Sequence, residues 1–547
     1  MSRERADRSP TTRTRDVLRQ SSLTSLVSAF AFVTALVVDV TIAARFGVGP
    51  ATDSLFVAAR IPLALVSVVI VGANQVLVPT ISTWLVRRGD REAYRLISAL
   101  LGLTLLLGGL LSGIVAAVAL PLTELTAPGL DPEQLSLAAS LTRTIFLIVP
   151  LSAAAEVLRA FLNARYSFAA PAGMSVVMDA VTIAVITIWT SGGVHAVAWA
   201  FVGGAVAQLA FIGIMAARRG FRYRATLGIR DPDVAGVGRL LVRPMVGAGL
   251  NPLARVGEQL IVSFMPTGSI SLLNYGYRLI SVVGGGILFR PVIVTILPRL
   301  TEATSSGRTE EVREVTRLAL KMMLAISLPL TALAAVLAQP ATLVIFRRGS
   351  FSGADAALLG ILLATYSLSL VGSAVQRALL APFYARLETR VPFRNTLYGV
   401  CANLALAPPL VLLLGADRRE GILGVAVAYS LAQYVNATHA WVRLRAIGII
   451  LDRVWSIVWR LGVVGVVGTA VLVAADGWLD LGALEDRWSI AAKIAAAAAA
   501  SIAVMTGVLI LIAGRDIRRL RASLRRRGPA AGTHDVDDPG GPTENLS

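Results

Sequence analysis

Apolar runs recur along almost the whole chain, separated by short polar stretches rich in arginine. A helix needs about 20 apolar residues to cross the hydrocarbon of a bilayer. Read this way, the pattern predicts fourteen membrane segments, at about 22–45, 52–82, 95–120, 137–163, 168–190, 194–217, 239–264, 269–298, 316–338, 354–383, 392–414, 421–444, 455–476 and 488–513. Pro62, Pro150, Pro252, Pro291 and Pro329 fall inside them. Such breaks survive in lipid only where a neighbour or water satisfies the freed carbonyls. Long, broken helices predict a bundle that lines a cavity.

The pattern is also doubled. Phe46 to Pro79 (FGVGPATDSLFVAARIPLALVSVVIVGANQVLVP) returns in weaker form as Phe264 to Pro298 (FMPTGSISLLNYGYRLISVVGGGILFRPVIVTILP). Each copy has a small-residue turn after the Phe, and Arg60 and Arg278 stand at the same spacing from Phe46 and Phe264. A second echo sets Ala164-Arg165 before Pro171 as Ala385-Arg386 stand before Pro392. Two matches in the same order predict a duplicated chain, a known way to build transporters.

Composition fixes the solvent. Of 547 residues, 55% are hydrophobic and only 15% charged, against about 25% charged in soluble domains. Mean hydropathy is +0.71. The net charge of +18 is almost all arginine. In a soluble protein that would suggest nucleic acid; between apolar segments it reads as topology signals and headgroup contacts, with no nucleic-acid partner. Arginines cluster at 87–95, 218–230, 299–317, 386–394, 443–453 and 515–527, while alternate loops such as TAPGLDPEQ are short or acidic. Arg347-Arg348 and Arg418-Arg419 run against this bias. The alternation predicts a multi-pass plasma-membrane protein with both termini in the cytoplasm. Residues 1–21 form a basic tail without the apolar core of a signal peptide, and the stretch from Gly528 is expected to be disordered. The lone Cys401 excludes an internal disulfide, and three scattered histidines offer no metal site.

Ionisable residues inside a membrane normally face a cavity or a partner. The candidates are Asp39, Asp53 and Arg60 in the first two segments, Asp179 in the fifth, Arg255 and Glu258 in the seventh, and Arg278 in the eighth. Arg60 lies two turns beyond Asp53 on one helix face. Glu156 and Arg159 are spaced to pair with each other. Arg143, Arg159, Arg290 and Arg377 lie near segment ends, where long side chains snorkel to the interface. Arg60 and Arg278 differ because they occupy matching places in the two copies. Either both face one central cavity or each pairs with a local acid such as Asp53. Guanidinium forks suit phosphate, so the first case implies an anionic substrate. No G-x-x-x-x-G-K-[ST] loop, metal motif or acid/base constellation is present. Gly284 to Gly286 reads as a flexible point or a close helix crossing. The chain is expected to be neither an enzyme nor a cofactor protein.

ARFGVGPATDSLFVAARIP (Ala44 to Pro62), VLVPTIS (Val76 to Ser82), LTAPGLD (Leu125 to Asp131), FLNARYSFAAPA (Phe161 to Ala172), GSISLLNYGYRL (Gly268 to Leu279) and APFYARLETRVP (Ala381 to Pro392) together resemble the MurJ/MviN family of lipid II flippases. That family sits within the multidrug/oligosaccharidyl-lipid/polysaccharide exporter superfamily. The resemblance implies an all-α polytopic fold with two pseudo-symmetric lobes, 22–218 and 239–447. Segments 13 and 14 (455–513) would form a groove for a lipid tail, ahead of a C-terminal tail (514–547). It implies flipping of an undecaprenyl-pyrophosphate-linked glycan, with Asp53, Arg278 and Asp39 serving the cavity. Membrane lipids and the cell-wall synthesis machinery would be its partners. Several family positions differ here: the arginine expected just before Asp39 falls on Val38, an earlier one in the first segment falls near Phe32, another falls on Val66, and an acid falls on Val71. Arg60 and Arg255 stand one or two turns away and would compensate. The departures leave open another lipid-linked polysaccharide unit as cargo. An ion-coupled multidrug exporter and a non-transporting scaffold are the further alternatives.

Overall fold

The computed structural model describes residue 27 and residues 30–281, 289–451, 454–479 and 487–526. The N-terminal tail up to Arg19, Gly284 to Gly286 and the stretch from Gly528 lie outside the described residues, as does the side chain of Arg290.

Among the described residues the chain is all helix, without strands. The first half holds α1 (30–46), α2 (Pro50–Gly72), α3 (Val78–Arg87), α4 (Gly89–Ala117), α5 (Ala119–Thr126), α6 (Pro132–Ile145), α7 (Ile148–Ala164), α8 (Ala169–Ile188) and α9 (Gly193–Arg218). The second half holds α10 (Pro232–Val262), α11 (Ser269–Ser281), α12 (Phe289–Ser305), α13 (Thr309–Phe346), α14 (Gly353–Ala385), α15 (Arg390–Leu414) and α16 (Leu423–Ala446). Then come α17 (Val454–Leu479) and α18 (Arg487–Arg526). Among the described residues, ten helices are long and apolar enough to cross a membrane. The other four predicted segments coincide with α1, α10, α11–α12 and α16. Those are shorter as described, or carry more polar residues, than the ten. α18 continues through the basic residues beyond 513, so that stretch begins as helix.

Of the prolines expected to break segments, Pro150 accompanies a break, whereas Pro62, Pro252 and Pro329 lie inside the continuous helices α2, α10 and α13. The predicted second segment is interrupted by a π turn over Ala73–Leu77, just ahead of Pro79. A proline cannot donate to the carbonyl four residues back and its ring crowds it, and a wider turn removes that clash. The predicted fourth segment is two helices, parted at Phe146-Leu147 ahead of Pro150. The Phe146 carbonyl at this break, denied the N–H of Pro150, accepts from the Val149 N–H at 3.1 Å and from the Ser112 hydroxyl of α4 at 3.3 Å. That is the neighbour's compensation a break in lipid requires.

The core is divided as the doubled sequence is. Two buried apolar clusters lie within residues 38–237, and one large cluster spans mainly 262–461. Helices inside a bilayer gain little from burying apolar surface and rely on close packing. At the crossing of α13 and α14, Gly360 lies against the backbone of Gln339, where no Cβ would fit. α17 and α18 dock on the outer side of α13 through Leu337, Leu472 and Ala497, and through Ala332, Val464 and Met505.

Candidate functional site

The halves meet along a seam made by the turns at one end of the bundle. The Ser350 N–H donates to the Ala44 carbonyl at 2.7 Å, and the Ser350 hydroxyl to the Arg45 carbonyl at 3.0 Å. The Gly129 N–H donates to Ser263 Oγ at 3.2 Å. Gly349 is held at φ +58 with the Ala44 carbonyl against its Cα, a place only glycine fills. Asp53, in the first turn of α2, belongs to this seam. Its Oδ2 accepts from the Gly268 N–H at 2.5 Å, and its Oδ1 from the Ser271 N–H at 2.8 Å and the Ser271 hydroxyl at 2.6 Å. A carboxylate here caps the free N–H groups and positive end of α11. Asp53 is buried and is not among the residues lining the cavity.

Behind the seam lies a cavity of about 1400 Å³ between the halves. Of the candidates, Asp39, Arg60, Arg255 and Arg278 line it, and the doubled arginines Arg60 and Arg278 face the same space. Two turns separate Arg60 from Asp53 on α2, as they separate Arg278 from Ser271 on α11, so both arginines sit at one depth below the seam.

Their partners differ. Arg278 Nε donates to Asp39 Oδ2 at 2.6 Å, tying α11 to α1. Among the described residues, Arg60 makes no ion pair. Its Nε donates to Gln259 Oε1 at 3.0 Å and its Nη2 to Asn274 Oδ1 at 2.8 Å, both in the other half. Neutral amides orient the guanidinium without cancelling its charge. Arg255 donates from Nη1 to Glu258 Oε2 at 2.5 Å, and its guanidinium lies 3.1 Å from the ring centre of Tyr277 and 4.8 Å from that of Tyr429. Glu258 is fully buried, and its Oε1 accepts from Asn403 Nδ2 at 2.5 Å. Glu258 is therefore the counter-charge of Arg255, set behind the cavity wall rather than on it.

Other intramembrane charges have partners outside the cavity lining. Arg159 Nε donates to Glu156 at 2.6 Å and its Nη2 to Asn74 at 3.1 Å. Thr34 donates to Asp179 at 2.6 Å. Arg143 donates to the Ala116 carbonyl at the end of α4, and the Arg377 guanidinium sits 5.8 Å from the Phe289 ring centre. Among the described residues, no cluster of His, Cys, Asp or Glu is arranged to hold a metal ion.

Three further arginines line the same cavity: Arg243 of α10, and Arg390 and Arg394 of α15. Arg390 and Arg394 read in the sequence as topology signals, and Arg243 lies within the seventh predicted segment. The available signal was their place beside Pro244 inside one helix and at the start of an apolar one. The lining thus presents six arginines against one acid, Asp39. With Arg278 and Arg255 neutralised, the other four cationic side chains have no ion pair among the described residues. Such a surface is built for an anion with more than one charge, and phosphate is the group that guanidinium forks match.

Comparison with known proteins agrees with this architecture. The family model described as "Lipid II flippase MurJ" matches residues 42–513. A probable lipid II flippase MurJ of Rhizobium meliloti (strain 1021) is 25% identical over 516 residues, covering 89% of this chain and 92% of that protein. The corresponding protein of Rhizobium tropici is 27% identical over 508 residues, covering 89% and 93%. A solved lipid II flippase MurJ in an inward closed conformation shares the fold at TM-score 0.76 and 19% identity, over 90% of this chain and 99% of that one. An inward-facing multidrug resistance MATE family transporter of the MOP superfamily gives TM-score 0.62 at 14% identity, over 78% and 99%. With a doubled bundle, a sealed seam and an arginine-lined cavity between the halves, and with the family model matched along nearly all of it, the chain belongs to the lipid II flippase MurJ family.

Proposed function

We propose that this chain is a transporter, not an enzyme, that flips lipid II, an undecaprenyl-pyrophosphate-linked glycan, from the inner to the outer leaflet of the plasma membrane by alternating access. One observation carries the reading: a cavity of about 1400 Å³, lined by six arginines and one acid, lies between two halves sealed at one end. The volume suits a sugar-bearing headgroup, and the charge suits its pyrophosphate. An exporter of cationic drugs would need the opposite sign.

The two lobes are residues 22–218 and 239–447, with 455–513 as the lipid-tail groove. The arginine bias of the loops puts both termini, and the cavity end near Arg390, in the cytoplasm. The seam then closes the outer side. Arg60, Arg278 and Arg255 are the binding residues in the depth of the cavity, Asp39 and Glu258 hold two of them in place, and Asp53 secures the seam. The cell-wall synthesis machinery is the expected consumer of the flipped lipid. In the mechanism, the pyrophosphate meets Arg60 and competes with Asp39 for Arg278. Taking Arg278 from Asp39 loosens a tie between α1 and α11. Binding free energy is thereby spent on the closed seam, as a ligand-driven change requires.

Depletion of the resident lipid II flippase in a bacterial host, with this chain supplied in trans, tests the reading. Restored growth together with outer-leaflet lipid II is the expected result. Growth arrest with well-expressed, membrane-inserted protein overturns it.

A further inference from the structure

The cavity has a far end as well as a seam. α14 starts beside the seam, close to Ser350, and its 33 residues carry the chain across the bundle to the turn before α15. α15 begins there with Arg390, and Arg394 follows one turn on. Both line the cavity mouth with Thr389, and Arg243 lines it from α10. All three arginines are exposed, and among the described residues none of them has an ion pair.

The placement runs against helix electrostatics. The N-terminus of a helix is its positive end and favours acids. α4, α13 and α14 follow that preference, with Asp90 and Glu92, with Glu310 and Glu311, and with Asp355. α15 has no acid in its first turn and no side-chain cap on Thr389. It adds two arginines beside the first N–H groups of the helix, those of Arg390 and Val391, Pro392 having none. The fold does not demand this. By the internal repeat, Arg390 and Arg394 correspond to Ala169 and Gly173 at the start of α8, where the first turn is uncharged. α15 thus departs from its own copy by two cations at its positive end.

We infer that Arg243, Arg390, Arg394 and the open N-terminus of α15 form a second anion site at the cavity mouth, for the phosphoryl group of a lipid lying at interface depth. It is separate from the deeper Arg60 and Arg278. Helix N-terminal N–H groups together with guanidinium forks are the standard combination for phosphate. The start of an apolar helix is the level at which a lipid's phosphate meets hydrocarbon. Two sources share this chemistry: the pyrophosphate of a prenyl-linked substrate and the phosphate of an ordinary anionic phospholipid. The site would take hold of the phosphoryl group before the headgroup reaches Arg60.

The naming of the substrate rests on the flippase reading, but the test reads binding alone. Full-length protein in nanodiscs of phosphatidylcholine is titrated with farnesyl pyrophosphate. The double variant Arg390→Gln/Arg394→Gln should bind it at least about tenfold more weakly, since two charge-assisted contacts are lost. The charge-retaining pair Arg390→Lys/Arg394→Lys should stay within about threefold of the parent. Unchanged thermal unfolding of the glutamine variant separates loss of binding from loss of fold. Repetition in nanodiscs containing phosphatidylglycerol identifies the source: competition assigns the site to any lipid phosphate, and its absence assigns it to pyrophosphate. Binding by the glutamine variant equal to the parent's overturns the proposal. So does equal weakening by the lysine and glutamine pairs. Failed flipping in cells with intact binding at the mouth would count against the flippase reading alone.

Discussion

Arg278 joins a buried acid to an open cavity, so its removal separates folding from transport. The Asp39 carboxylate is 9% exposed and the Arg278 side chain 45% exposed. Breaking a fully buried ion pair costs about 3–5 kcal/mol because a charge is left without its partner. Breaking an exposed pair costs about 0–1 kcal/mol. With one partner on each side of that divide, Arg278→Ala should cost about 2 kcal/mol, nearly all of it the orphaned Asp39 carboxylate. Asp39→Asn in the same chain removes that charge and should recover most of the loss. Thermal unfolding of the purified protein in detergent reads the first quantity. Outer-leaflet lipid II in flippase-depleted cells reads the second. The double variant should fold like the parent and still fail to flip, since the guanidinium that meets the pyrophosphate is gone. Wild-type flipping by the double variant would remove Arg278 from the binding site. A single variant as stable as the parent would mean that the pair ties nothing together.

Arg255→Ala should destabilise the protein more, by about 3–5 kcal/mol, because Glu258 is fully buried; adding Glu258→Gln should return most of that in the same unfolding assay. Asp53→Ala leaves three donors at the start of α11 without their acceptor and should cost about 3 kcal/mol, with Asn restoring only part. Ala44→Cys with Ser350→Cys, in a Cys401→Ser background, places two thiols across a backbone hydrogen bond of 2.7 Å, within disulfide reach. Oxidation should lock the seam and stop flipping, and a reducing agent should restore it. Unchanged flipping in the fully cross-linked protein would mean that the seam does not open during transport.

What the sequence determined by itself is the solvent, the helical framework and the doubling. These follow from local rules: a spanning helix needs a fixed apolar length, a proline breaks a hydrogen bond wherever it stands, and a duplicated stretch keeps its spacing. The pairing of Glu156 with Arg159, and of Arg255 with Glu258, was legible for the same reason, since residues three apart on a helix are neighbours. The repeat left Arg60 and Arg278 two choices, one shared cavity or separate local acids; both line one cavity, and Arg278 also pairs with Asp39. The tertiary structure alone decided which charges remain free. Asp53 stands two turns from Arg60 on one helix face, yet its donors come from Gly268 and Ser271, over 200 residues later in the chain. Arg60 ends on neutral amides of the other half, which nothing within its own segment specifies. Arg390 and Arg394 have the composition of a topology signal, and only the packing of α10 against α15 turns them, with Arg243, toward the cavity. Periodicity places a side chain on a helix face; what that face meets depends on how the helices cross.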